Sequence, residues 1–132
     1  MSRIIGELGG TKKGPLIILI GGLHGNELTG IKAINKVFNK IREDNLEIYG
    51  KIIGLEGNKK AIEKKERYLD YDLNRCWTDE HIQHLNESKH IFAEDEEVLE
   101  LNSIFEELSS YESTKKVCVD LHTTSSDNGN FI

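Results

Sequence analysis

The chain has 132 residues, 17 of them basic and 23 acidic, with a net charge of −6. That is enough for one domain with its own apolar core, and the wrong sign for a general nucleic-acid binder. Residues 1–15 are too polar and glycine-rich for a signal peptide, and no apolar run approaches the roughly 20 residues of a membrane span, so a cytoplasmic protein with no membrane partner is expected.

Arg3 to Leu8 reads as a first strand, followed by a Gly-Gly-Thr-Lys-Lys-Gly turn and Pro15, which suits a strand start. Leu16 to Ile20 is continuously aliphatic, the pattern of a strand covered on both faces. Leu28, Ile31, Ile34, Val37, Phe38 and Ile41 then fall at the spacing of an amphipathic helix of about four turns. Leu46 to Leu55 returns to strand character, with Gly50 and Gly54 marking a bulge or a close backbone approach. From Gly57 to Trp77 a short helix gives way to a long loop. Its basic residues Lys59, Lys60, Lys64, Lys65 and Arg67 are interrupted by Glu63 and Glu66, as on a solvated face. Thr78 to Lys89 reads as a solvated helix; its His81 and His84, with His90 nearby, show no third metal ligand. Glu94 to Tyr111 is a second clear helix, with Val98, Leu101, Ile104, Phe105 and Leu108 on one face, and Val117 to Leu121 is the next strand. This alternation implies an α/β sandwich. Cys76 and Cys118 form no Cys-x-x-Cys pair, so neither a disulfide framework nor a thiolate metal site is indicated.

The chemistry concentrates where the aliphatic runs end. His24 and Glu27 stand three residues apart directly after the second strand, a spacing that puts both side chains on one side of a strand-to-helix turn, within reach of one metal ion. His122 ends a second aliphatic run 95 residues after Glu27 and is the candidate third ligand. Both would meet at the carboxyl edge of the sheet, where open α/β folds place their sites. The plainer alternative is that His24 and Glu27 shape the turn and cap the helix. Gly21 and Gly22 would let the turn bend, and Gly25 would let backbone approach a metal or substrate. Asp120 shares a strand face with His122 and either orients it or is a solvated strand-end carboxylate. Thr123 to Ser126 either line a pocket or form a loop. Arg67, Asn74 and Arg75 offer guanidinium forks and an amide that can grip a carboxylate; the alternative is a surface loop ion-paired to Asp70 and Asp72. Tyr68 and Tyr71 carry no assigned role.

Three blocks, His24-Gly25-Asn26-Glu27, Arg67-Tyr68-Leu69-Asp70-Tyr71-Asp72-Leu73-Asn74-Arg75 and Asp120-Leu121-His122-Thr123-Thr124-Ser125, resemble in order the succinylglutamate desuccinylase and aspartoacylase family, a branch of the zinc carboxypeptidase superfamily. The resemblance implies a three-layer α/β sandwich with a mixed central sheet, and zinc held by His24, Glu27 and His122. It also implies an Arg67 that polarises the scissile carbonyl, and an Asn74–Arg75 pair that holds a substrate carboxylate. The implied reaction is zinc-dependent hydrolysis of the amide bond of a small N-acyl amino acid. Family members are usually more than twice as long and carry a general-base glutamate beyond the third ligand. Here Asp127 is the acidic residue after His122, and it matches no general-base motif. Residues 1–132 are therefore read as the N-terminal part of a single catalytic domain, truncated and inactive alone, with an open sheet edge that favours homo-oligomers. The other readings are a non-catalytic zinc-binding or interaction module and a peptide carboxypeptidase of the same superfamily. The acyl group and the amino acid are not legible.

Overall fold

A computed structural model describes residues 2–123. Its elements follow the order β1 (Ile4–Gly9), β2 (Leu16–Gly21), α1 (Thr29–Glu43), β3 (Lys51–Glu56), α2 (Lys59–Lys64), a single 3-10 turn (Leu73–Arg75), α3 (Asp79–Glu87), α4 (Ala93–Ser109) and β4 (Lys116–Leu121). The four strands form a mixed sheet in the order β1-β3-β2-β4, with β1 antiparallel to β3 and the other two pairings parallel.

The unbroken aliphatic run of β2 is buried because helices cover both faces of the sheet. On one face Leu16, Ile18 and Ile20 join Ile53 and Leu55 of β3 in a core completed by Leu73, Leu85, Val98, Leu101 and Leu108. On the other face α1 buries Ile34 and Phe38. A Cβ built on Gly54 would lie 2.4 Å from Ile34 Cγ2 and 2.9 Å from Phe38 Cε2, so this glycine lets α1 press directly on β3. Gly54 thus marks a close approach; the register irregularity of the sheet lies in β1, between Ile4 and Gly6.

One expected boundary is wrong. The strand read over residues 46–55 begins only at Lys51. Asn45 (φ 50°) and Gly50 (φ 85°) both adopt left-handed backbone, which breaks the extended geometry on either side of Leu46 to Tyr49. Leu46 and Tyr49 are 55% and 61% exposed. Gly50 closes this return loop by donating its N–H to the Lys12 carbonyl (2.8 Å) and accepting from the Gly10 N–H (2.7 Å). Among the described residues no helix is long and apolar enough to cross a membrane.

One charged network ties the sheet to α4. Arg3 is buried, and its guanidinium meets Glu97 at 3.0 Å and also pairs with Glu100. It donates to the carbonyl oxygens of Glu56 and Gly57, while Glu97 accepts the Lys59 N–H at 3.0 Å. Removing one partner of a buried ion pair strands the other in low dielectric. Arg3→Ala is therefore expected to lower the unfolding free energy by roughly 3–5 kcal/mol in urea titration; a loss under about 1 kcal/mol would mark the pair as solvent-screened.

Candidate metal centre

β2 and β4 run parallel in a register that sets Gly21 opposite Leu121, so the residues that follow each strand emerge side by side at the carboxyl edge. After β2 the chain turns at Gly22 (φ 76°), a conformation that favours glycine. The Glu27 N–H then donates to the His24 carbonyl at 3.0 Å, curling the turn so that both side chains point the same way. Glu27 Oε1 lies 3.1 Å from His24 Nδ1 and Oε2 lies 3.0 Å from His122 Nδ1. Oε2 also accepts the Thr123 N–H at 2.9 Å. One donor atom from each of His24, Glu27 and His122 lies within 4.8 Å of the other two. The plainer alternative holds in part: His24 and Glu27 shape the turn, but neither caps α1 through a side-chain hydrogen bond, since α1 begins behind Leu28 without one.

The outer side of each ring is held as well. His24 Nε2 stands 2.9 Å from Asp72 Oδ1, and the same oxygen accepts the Asn74 N–H at 2.9 Å. His122 Nε2 pairs with the Asp120 carboxylate and lies 3.0 Å from the Asn74 side-chain amide nitrogen. Both Nδ1 atoms face Glu27, to which each donates while it carries a proton; with Nε2–H held by a carboxylate, loss of the Nδ1 proton would leave the Nδ1 lone pair for a metal ion. Two imidazole nitrogens and one carboxylate, oriented from behind by carboxylates, form a donor set that suits zinc. Asp120 thus contacts His122, whereas Asp72, read from sequence as an ion-pair partner of Arg67, makes its shorter contact with His24. The available signal was its place before Leu73, where its side chain caps the 3-10 turn.

Burial alone would raise Glu27, but hydrogen bonds from the Thr123 N–H, His122 and His24 outweigh it and hold the carboxyl below its ordinary range. Asp72 behaves alike: burial raises it, and the Asn74 N–H, His24 and Arg67 bring it down. Burial pushes Asp120 up, against the pull of His122.

Arg67 reaches the centre from the loop after α2. Its guanidinium stands 3.6 Å from Glu27 Oε1 and 3.8 Å from Asp72 Oδ2, with about half of the side chain open to solvent. Asp70 instead accepts the Ala93 N–H at 2.6 Å. Gly25 serves a different purpose from the expected one: a Cβ there would lie 2.1 Å from the Ala61 carbonyl carbon, so the close approach is to α2, and the Gly25 N–H donates to the Arg67 carbonyl at 3.1 Å. Asn74 sits against His122, and Arg75 donates to the Asn74 carbonyl at 3.1 Å. Arg75 borders an open cleft of about 370 Å³ shared with Tyr71, Asp72, Cys76, Thr78 and His81. Tyr71 donates its hydroxyl to Asp95 at 3.0 Å. His81 turns to Tyr71 and His84 to Ser88. Thr124, Ser125, Ser126 and Asp127 lie outside the described residues.

Residues 13–131 match the model of the succinylglutamate desuccinylase/aspartoacylase catalytic domain. The chain belongs to this family. Aspartoacylase of Xenopus tropicalis is 34% identical over 116 residues, covering 86% of this chain and 35% of that protein. Succinylglutamate desuccinylase of Pseudomonas fluorescens is 28% identical over 107 residues, covering 81% and 30%. Among solved structures, succinylglutamate desuccinylase of Chromobacterium violaceum superposes with a TM-score of 0.68 at 26% identity, covering 88% of this chain and 35% of that one. The fold is therefore that of the family, a three-layer, zinc-carboxypeptidase-like α/β sandwich, and the chain spans about a third of the length of these relatives.

Glu27 and Asp72 bind protons more weakly folded than unfolded, so the stability they contribute is present above their ordinary values of 4.5 and 3.8 and is lost as pH falls through the lowered ones. In urea unfolding with chelator present, the gap between wild type and Asp72→Asn should be larger at pH 7 than at pH 3. An equal gap at both would show that Asp72 is not held by its neighbours.

Proposed function

We propose that these residues form the metal-binding and oxyanion side of a zinc-dependent amidohydrolase that removes the acyl group from an N-acyl acidic amino acid. The observation that carries this reading is the convergence of His24, Glu27 and His122, with the Arg67 guanidinium 3.6 Å from the same carboxylate. Zinc in such a site supplies a Lewis acid and lowers the pKa of water to about 7.

The chain's own side chains have separable tasks. His24 and His122 offer Nδ1, and Glu27 contributes the negative charge that offsets part of the cation's. Asp72 and Asp120 fix the rings, as outer carboxylates do in histidine metal sites. Arg67 is close enough to the centre to donate to a carbonyl oxygen as negative charge develops on it, and its exposure leaves it free to move toward a bound substrate. Asn74 and Arg75, beside His122 and the neighbouring cleft, hold the carboxylate of the amino-acid moiety. These 132 residues are the N-terminal part of a single catalytic domain in this reading, and the proton carrier between water and leaving amine is a carboxylate of the full-length protein beyond His122.

In the full-length protein, hydrolysis of N-acetyl-aspartate or N-succinyl-glutamate is expected to be abolished by chelator and restored by zinc. Arg67→Ala should reduce kcat by about 10²–10³-fold, as for loss of an oxyanion donor, while Arg75→Ala should act mainly on KM. A protein that binds zinc but cleaves no N-acyl amino acid would favour the binding-module reading, and cleavage of peptide C-termini instead would favour a carboxypeptidase.

A further inference from the structure

The loop between α2 and the 3-10 turn carries Arg67 and Asp72 and leads directly into Asn74 and Arg75, yet it has no regular structure of its own between residues 66 and 72. It is fixed by one buried carboxylate. Glu94, in the first turn of α4, is fully buried and far from solvent for a glutamate. Its Oε1 accepts the Leu69 N–H at 2.7 Å and the Asn58 side-chain N–H at 2.9 Å. Its Oε2 accepts the Asp70 N–H at 2.9 Å and the Tyr71 N–H at 3.4 Å. Asp70 returns the clasp by accepting the Ala93 N–H, and Asn58 is itself buried as the cap of α2.

We propose that Glu94 is a positioning residue for the metal centre: by gathering three consecutive backbone N–H groups it sets the reach of Arg67 to Glu27 and of Asp72 to His24. The connectivity is short. Asp72 directly follows the three gripped residues and touches His24, while Arg67 lies two residues before them and is tied by its carbonyl to Gly25, beside the same ligand. Every lone pair used on Glu94 faces a donor. A glutamine there would turn its own NH₂ toward either Leu69 and Asn58 or Asp70 and Tyr71, leaving two donors opposed whichever way it sits. The loop would then shift, and with it the carboxylate behind His24. Glu97, on the same helix, serves as a comparison: it is equally buried but belongs to the Arg3 network and touches no residue of the centre.

The inference rests on reading His24, Glu27 and His122 as metal ligands, and the experiment separates the two. Zinc affinity of the full-length protein is measured by chelator competition for wild type, Glu94→Gln, Asp72→Asn, the double variant and Glu97→Gln. Asp72→Asn should weaken zinc binding about 10- to 100-fold, as loss of an outer carboxylate does. Glu94→Gln should weaken it by about tenfold and by no more than Asp72→Asn does, and the double variant should bind no more weakly than Asp72→Asn, because Arg67 is a cation and no zinc ligand, so the effect of Glu94 on zinc affinity runs through Asp72. Glu97→Gln should lower the unfolding midpoint but leave zinc affinity unchanged. Wild-type affinity in Glu94→Gln, effects that add in the double variant, or an equal loss in Glu97→Gln would reduce Glu94 to a stabilising residue and overturn the inference. If Glu94→Gln does not fold, Glu94→Asp keeps the charge one methylene short of the N–H groups and should weaken zinc by a smaller factor; unchanged affinity there also overturns it. A wild type that binds no zinc defeats the metal reading itself, and the positioning inference with it.

Discussion

The parallel pairing of β2 with β4, with Gly21 facing Leu121, is the constraint on which the centre depends. It delivers two histidines from residues 24 and 122 to one edge, and the glutamate three residues beyond the first histidine then closes the distance between them. Slipping β4 by one residue would turn Asp120 and His122 to the other face of the sheet. β4 is mostly exposed, so its register is held by its backbone ladder to β2, extended before the strand by the Leu16 N–H on the Lys115 carbonyl (2.8 Å) and the Thr114 N–H on the Gly14 carbonyl (3.0 Å).

A second layer of constraint is electrostatic. Glu27, Asp72 and Asp120 surround two histidines, and Arg67 approaches from the open side. Glu27 and Asp72 stay ionised because each accepts hydrogen bonds from backbone as well as side chains, which makes the charge a property of the fold and not of any one partner. The same logic governs Glu94, whose burial would favour protonation but for the Leu69, Asp70 and Tyr71 N–H groups and Asn58. Loops without regular structure need such partners, since their backbone groups have no ladder to join.

Elements with strong periodicity were legible from the residues alone. The spacing of Ile34 and Phe38 marks the buried face of α1, and the aliphatic run of β2 marks a strand covered on both sides. The convergence of His24, Glu27 and His122 follows from their strand-end positions. What failed or went unseen depends on contacts distant in sequence. Leu46 and Tyr49 look like strand residues, but the left-handed Asn45 and Gly50 make them an exposed loop. Gly25 faces α2, which no local pattern announces. Asp72 was read through its neighbour Arg67 and not through His24, 48 residues away. Glu94 is one of four consecutive acidic residues at the start of α4, and only the tertiary fold singles it out as the one that grips a loop.

The central claim is that one metal ion is held by two histidines and one glutamate of this chain. X-ray absorption at the zinc edge of the zinc-loaded full-length protein tests it most directly. The expected shell has two imidazole nitrogens and carboxylate oxygen at about 2.0–2.2 Å, with the imidazole scattering halved in His122→Ala. A shell containing sulfur, or one without imidazole scattering, would contradict the assignment of His24, Glu27 and His122.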